Sequence, residues 1–373
     1  MRKKISLFII STVLTLAVCE FLIRITFPQI SDHDTMFQYE ANIGWEFIPD
    51  KKVKIVYDDG INHYMNTNKD GFRDTPFEEK KGDAKIMVLG DSFVSNISVE
   101  DTEVFTQVME DQLTNTSVYN LGVNGYGQVQ EYMLLEKWLP KIQPNLVVVM
   151  IYLRNDFTDN MGDFPWLYPR PTVTFNEGGD ADTSMQISPP SLANYETKKE
   201  LPFYYKSHLF LFVKRRIDNI KAKMAKDKDA SYTPHEVRTC RVPLSEDAEA
   251  MYETMQKLIV EINTYGQRNQ TPIVFALAPS MFQVEDALWS EVTEYDTTIR
   301  LEKDLPNKTL LAFAKANNLE MIDVMPALQE EHHKGTKMYN PIEQHWTVEG
   351  NKVVANVLSK YLKQRITKQQ DSL

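Results

Sequence analysis

Ile86-Met87-Val88-Leu89-Gly90-Asp91-Ser92-Phe93 decides the fold. Four apolar residues in a row, closed by a glycine and two small polar residues, read as a strand buried on both faces that ends in a tight turn. The same grammar repeats downstream. A helix is expected over residues 104–113, a second strand at Val118-Tyr119-Asn120-Leu121 and a helix over 130–139. Leu146-Val147-Val148-Val149-Met150-Ile151 is the clearest buried strand of the chain. After a long interruption come a helix over 248–265, a strand at Pro272-Ile273-Val274-Phe275-Ala276-Leu277 and a helix over 307–316. Met321-Ile322-Asp323-Val324 and a closing helix over 348–362 complete the series. Strands alternating with helices predict a parallel sheet covered on both faces, an α/β three-layer α/β/α sandwich.

Composition narrows the function. The chain has 373 residues, enough for one large domain plus an appendage, with 42% hydrophobic residues to fill a core. A formal charge of −11 argues against nucleic acid as a partner, since phosphate binding needs a cationic face. Two cysteines, Cys19 and Cys240, supply neither a disulfide framework nor a thiolate zinc site.

The amino terminus reads as a membrane anchor. Met1-Arg2-Lys3-Lys4 is cationic, and residues 5–27 are apolar apart from Glu20 and Arg24, which stand four apart and can pair on one helix face. That length suffices to cross a bilayer. A cleaved signal would want small residues before the cut, and none stand so before Pro28. A lipoprotein signal would want a small residue before Cys19, where Val18 stands. An uncleaved anchor over 1–28 fits best, with the basic start cytoplasmic and the rest exported to the periplasm or outer face.

Residues 29–82 form a lead-in, with a small hairpin expected from the alternating runs at 53–57 and 63–65 around Asp58-Asp59-Gly60. Residues 83–365 make up the main domain. The interruption, residues 157–241, is too long for an ordinary connection and is expected to cap or wall the sheet's carboxyl edge. It carries acidic Glu177-Gly178-Gly179-Asp180 and a basic helix near 214–228. That helix reads first as a solvated face and second as a contact with membrane headgroups or an acidic polymer.

In an open parallel sheet, ligands bind beyond the carboxyl ends of the strands. Gly90-Asp91-Ser92-Phe93 follows the first strand, Gly122-Val123-Asn124-Gly125-Tyr126-Gly127 the second and Arg154-Asn155-Asp156 the third. Glu343-Gln344-His345-Trp346 precedes the last helix. Together they supply what acyl transfer needs. Ser92 is a hydroxyl on a tight turn, His345 a base for its proton and Glu343 an acid to orient the imidazole. The N–H groups of Ser92 and Gly125 and the Asn155 amide would hold the oxyanion. Each piece alone has a plainer reading: turn composition for Gly-Asp-Ser, a helix cap for Asn155-Asp156, surface or core residues for the other six histidines.

The set resembles the SGNH/GDSL hydrolase superfamily. Gly90-Asp91-Ser92-Phe93 is similar to its first block, Asn120 to Gly127 to its second, Arg154-Asn155-Asp156 to its third and the His345 segment, with Gly350 following, to its last. The resemblance covers about residues 65 to 365, and Asp70-Gly71-Phe72-Arg73-Asp74 resembles a lead-in of membrane-anchored members. It implies a flavodoxin-like SGNH hydrolase fold with Ser92 as nucleophile, His345 as base and Gly125 and Asn155 in the oxyanion hole. Two departures stand out. Ile342 occupies the usual acid position, which leaves Glu343 in a shifted register. Arg154 replaces the block's glycine, which suits either an anionic substrate or pairing with a nearby acid.

Three functions compete. The first is a serine esterase removing an acyl group from a carbohydrate or lipid outside the cytoplasm. The second is an O-acyltransferase for a surface polysaccharide, which His345-Trp346-Thr347 resembles. The third is a non-catalytic binding or assembly protein on the same fold. No metal and no nucleotide cofactor is implied, because no ligand spacing and no phosphate-binding glycine motif is present.

Overall fold

The computed structural model describes residues 2–27, 29, 35–56, 62–162, 168–176, 184–192, 203–226, 237–295, 299–341 and 343–370. The chain divides into two compact units. One gathers Met1–Met36, Val53–Tyr64 and Glu196–Ser231, the other Phe37–Lys52, Met65–Tyr195 and Tyr232–Leu373.

The larger unit is built on five strands: β1 (Ala84–Leu89), β2 (Thr116–Asn120), β3 (Leu146–Tyr152), β4 (Ile273–Ala278) and β5 (Glu320–Asp323). All neighbours pair parallel, in the order β5-β4-β3-β1-β2. This is the doubly wound order with a switch point between β1 and β3. Buried parallel strands need apolar residues on both faces, and every residue of β3 and β4 is buried. Val88, Val148, Met150, Val274 and Ala276 pack on one side against Phe105, Met109, Leu328, Val354 and Leu358. These come from helices α2 (Phe105–Gln112), α7 (Met325–His333) and α8 (Val348–Gln370). Alternation turns Met87, Val147, Val149 and Phe275 to the other side, where α3 (Gln128–Ile142) and α5 (Glu246–Arg268) lie. The three-layer sandwich is thus observed. Helix α6 (Leu305–Ala316) feeds β5.

Strand positions agree with the sequence expectations to within a residue or two and most helices to within a few. The closing helix, however, runs eight residues beyond the expected 362, to Gln370, and the basic helix starts six residues earlier than expected, at His208. Two hairpins and several helices add to them. Phe37–Glu40 pairs antiparallel with Gly44–Phe47, and Thr172–Asn176 with Ser184–Ser188 inside the insertion. Lys52–Val56 pairs with Asn62–Asn66 as expected, its turn at 57–61 lying outside the described residues, as do residues 177–180.

In the smaller unit, α1 (Arg2–Thr26) is long and apolar enough between Lys3 and Thr26 to cross a membrane, and its apolar side chains are exposed. The basic helix of the insertion is α4 (His208–Lys226).

Candidate active site

The site is assembled at the carboxyl ends of β1, β2 and β3, beside the switch point. After β1 the chain turns at Gly90, where a Cβ would collide with Val94. Asp91 then caps a single helical turn, Ser92–Ser95, by accepting the Phe93 N–H at 2.8 Å. The turn is held from several directions. Asn120 Nδ2 donates to Val94 O at 3.0 Å, and Ser95 Oγ donates to Asn124 Oδ1 at 2.6 Å. The almost wholly buried Arg73 guanidinium donates to the carbonyls of Ser95, Asn96 and Val99 and pairs with Asp101 at 2.7 Å. Asp74 accepts the Asn120 N–H at 2.9 Å on the edge strand and binds Lys80 at 2.9 Å. The lead-in motif therefore braces the site mechanically, since Arg73 satisfies carbonyls at the end of the Ser92 turn and Asp74 fastens β2.

Ser92 Oγ lies 2.8 Å from His345 Nε2. It also lies 3.4 Å from Asp91 Oδ2, but one hydroxyl carries one proton, and the shorter geometry gives it to the imidazole. His345 sits on a tight loop. Asn340 N–H donates to His345 O and Gln344 N–H to Asn340 O, each at 2.8 Å, with Tyr339 and Trp346 bridged below. Gln344 takes a left-handed conformation, φ 58°, to close the turn. Asn96 and Asn351 hold the Trp346 carbonyl at 3.2 and 3.3 Å. The imidazole rests on the Phe93 ring, centroids 5.1 Å apart, and that buried ring also packs on Trp346 and Tyr152.

Gly125 has φ 76°, a conformation that favours glycine. The carbonyl of the preceding peptide, Asn124 O, accepts the buried Trp45 indole N–H at 2.9 Å. A trans peptide points its N–H opposite to its C=O, so Trp45 fixes the direction of the Gly125 N–H. Gly125 O accepts from Arg170, whose guanidinium lies over the Trp45 ring. Arg170 pairs with Asp159 at 2.9 Å with both side chains buried, and Asp159 accepts from Asn155 Nδ2 at 2.6 Å. Asn155 also hydrogen-bonds Asp91. Hydrogen bonds thus run from Asp91 through Asn155, Asp159 and Arg170 to Gly125, and Ser92 Oγ stands 3.4 Å from the Asp91 end of that chain. In this state the Asn155 amide serves two carboxylates, so it reaches an oxyanion only by releasing one of them.

Four buried carboxyls gather here, two of them within that chain. Burial pushes Asp91 up to about 7 and Asp159 up to about 6, and holds Glu131 and Asp156 well above the usual range. Among the described residues, buried Arg170 faces Asp159, Asp156 and Asp91, itself lowered by burial. Asp156 Oδ2 accepts from Gln128 at 2.6 Å and from the Tyr152 N–H at 2.8 Å.

Of the residues expected at the site, Ser92 and His345 meet directly, and Asn155 and Gly125 join through the network. Arg154 donates to Gln344 Oε1, next to the histidine. Glu343 lies on the His345 loop, half-buried, its N–H donating to Asn340 Oδ1 at 3.2 Å. All six are part-exposed among buried neighbours such as Asp91, Phe93, Asn124, Asp156 and Trp346. Ile342 is outside the described residues. Arg170 and Trp45 were not foreseen, for each comes from a segment without periodic pattern. Among the described residues no cluster of His, Cys, Asp and Glu could hold a metal ion.

The chain resembles GDSL lipolytic proteins. It covers 94% of a G-D-S-L family member from Veillonella parvula with 73% of its own length, at 13% identity and a TM-score of 0.36. A G-D-S-L lipolytic protein from Desulfitobacterium hafniense is covered to 99% by 74% of this chain, at 12% identity and TM-score 0.39. A catalytic mutant of an acetylxylan esterase from Geobacillus stearothermophilus is covered to 94% by 75% of this chain, at 11% identity and TM-score 0.39. No protein-family model matches the sequence, and no curated protein matches it significantly. At such identities and TM-scores, residue roles rest on this chain's own geometry.

Proposed function

We propose that the chain is a serine-type acyl hydrolase that removes an acyl group from an acylated carbohydrate or lipid outside the cytoplasm. The observation that carries the reading is the 2.8 Å approach of Ser92 Oγ to His345 Nε2. Ser92 attacks the ester carbonyl as its proton passes to His345 Nε2. The oxyanion is met by the N–H groups of Ser92 and Gly125 and by Asn155 Nδ2, once that amide swings from Asp91. Burial raises the Asp91 carboxyl, which favours its neutral form and weakens its hold on that donor, easing the exchange. The tetrahedral intermediate collapses, the imidazolium hands its proton to the leaving alcohol, and water repeats the sequence on the acyl-enzyme. Glu343 is the acid of the set, acting on His345 from the same loop. Arg154, part-exposed beside Gln344, is the cation that would meet an anionic group of the substrate.

Arg170 supports this reading from outside the chemistry. It touches Gly125 O and the Asp159 carboxylate that holds Asn155, so one guanidinium registers both oxyanion donors against each other. The test is acetate release from acetylated xylan, other acetylated sugars and p-nitrophenyl acetate by the full chain, with Ser92→Ala beside it. Turnover in the parent and none in the variant supports the reading; equal turnover refutes it. Acetyl appearing on an added sugar acceptor, with little free acetate, would move the assignment to acyl transfer on the same site.

A further inference from the structure

Glu20 is out of place by composition. A carboxylate inside an apolar helix is costly and calls for a reason. The structure supplies one. Glu20 accepts from the Ser207 hydroxyl at 2.8 Å and from the His208 and Leu209 N–H groups at 3.0 and 2.8 Å. It also pairs with Arg24 at 3.1 Å. His208 and Leu209 open α4, so a residue of α1 satisfies the free N–H groups that every helix start leaves. A second tie lies further along: the Gln29 N–H donates to His208 Nδ1 at 2.8 Å, and Arg215 donates to Gln29 Oε1 at 3.4 Å.

The exposed side of α4 is unusual for a solvated helix. Val213 and Ile217, one turn apart on the same face, are 47% and 46% exposed. Lys214 and Arg216 follow and precede them along the helix and project to either side of that stripe, while Arg216 lies over the Phe212 ring. Within α4, Lys214, Arg215, Arg216, Lys221, Lys223 and Lys226 stand against one acid, Asp218, in a chain of net charge −11. An apolar stripe bordered by cations is the pattern of a helix lying in a bilayer's interface. This one is fastened to a helix able to span the bilayer.

We infer that α4 docks on an anionic lipid surface, seating Val213 and Ile217 at the acyl boundary and Lys214 and Arg216 among the headgroups, with Glu20 as the fastener to α1. The inference rests on α1 being a retained, membrane-spanning anchor, and it adds a reason for retention: cleavage after α1 would strip α4 of its cap. The occupant is lipid rather than an acidic polymer because the apolar stripe continues from a segment that is itself built for hydrocarbon.

The test uses the full chain carrying Cys19→Ser and Val213→Cys, labelled with an environment-sensitive dye; Cys240 is buried and does not compete. It is reconstituted in vesicles of phosphatidylcholine alone and of equal phosphatidylcholine and phosphatidylglycerol. Docking gives blue-shifted emission, quenched by nitroxide lipids, in the anionic vesicles and far less in the neutral ones. Neutralising two cations with Lys214→Gln and Arg216→Gln should lower the docked-to-undocked ratio about 30-fold. Glu20→Ala should release the label to water while the protein still resists alkaline carbonate extraction. A water-exposed label in anionic vesicles, with the protein carbonate-resistant, overturns the inference and leaves the anchor standing. Equal burial in both lipids overturns the anionic assignment, and carbonate extraction of the unmodified chain overturns the anchor itself.

Discussion

Arg170→Met puts the buried network under the most informative strain. The guanidinium pairs with Asp159 with 4% and 8% of the two side chains exposed, and it also donates to Gly125 O and to Gln130 Oε1, the latter at 3.2 Å. Methionine keeps the volume and removes every donor, leaving Asp159 buried beside Asp91 and Asp156 without its cation. Removing one partner of a buried pair costs about 3–5 kcal/mol. Part of that cost can be avoided by protonation. Asp159 already stands at about 6 with the arginine present, raised by burial and held down by Arg170. Without the arginine it rises further. The folded variant then binds a proton that the unfolded chain does not, from about pH 4 upward, and stability falls as pH rises through that window. The loss should therefore be largest near about pH 8 and smaller near about pH 5. Urea unfolding of the full chain in detergent, followed by intrinsic fluorescence at both pH values, measures it. Turnover adds a second readout. Displaced oxyanion donors should lower kcat up to about 100-fold with little change in KM. Arg170→Lys keeps the charge on Asp159 but loses the planar fork that also reaches Gly125. It should recover stability before it recovers kcat. A loss below about 1 kcal/mol at the higher pH, or full kcat in a folded Arg170→Met, would refute the reasoning.

Other consequences are simpler to read. Asn155→Ala should lower kcat by about 100- to 1000-fold if its amide reaches the oxyanion, and a change confined to stability would show that Asn155 serves only Asp91 and Asp159. Asp91, Asp74 and Asp159 are raised by burial to about 7, 6 and 6. Each then favours the folded state least once ionised, so resistance to urea should decline as pH rises from about 4 to about 7. Glu40 and Glu320, part-buried yet held low by hydrogen bonds from Ile43 and Arg365 respectively, act in the opposite sense, adding stability as pH rises through the ordinary carboxylate range, so the decline is to be read above about pH 5. A flat or rising profile would contradict the burial argument. Glu343→Gln should cost less kcat than His345→Ala, and equal losses would make Glu343 indispensable to the base.

The sheet was legible because parallel strands buried on both faces leave continuous apolar runs, as at 146–151, and each run ends where a ligand site must lie. Ser92 and His345 were legible for the same reason, being polar residues placed immediately after such a run or before the final helix. What escaped was long-range. Arg170 lies 45 residues from Gly125 and Trp45 lies 79 from Asn124, and neither stands in a periodic pattern that marks a partner. Glu20 shows the limit from the other side: its spacing from Arg24 foretold that pair, which forms, but not the three donors from the start of α4. The register of Glu343 depends on a left-handed Gln344, a loop conformation that spacing alone does not announce.

The central claim is that His345 activates Ser92. The direct measurement is to treat the full chain with a fluorophosphonate and locate the adduct by mass spectrometry, with Ser92→Ala and His345→Ala alongside. The account expects one adduct, on Ser92, absent from the first variant and formed far more slowly in the second. No adduct on the folded protein, or labelling of Ser92 at the same rate without His345, would contradict it.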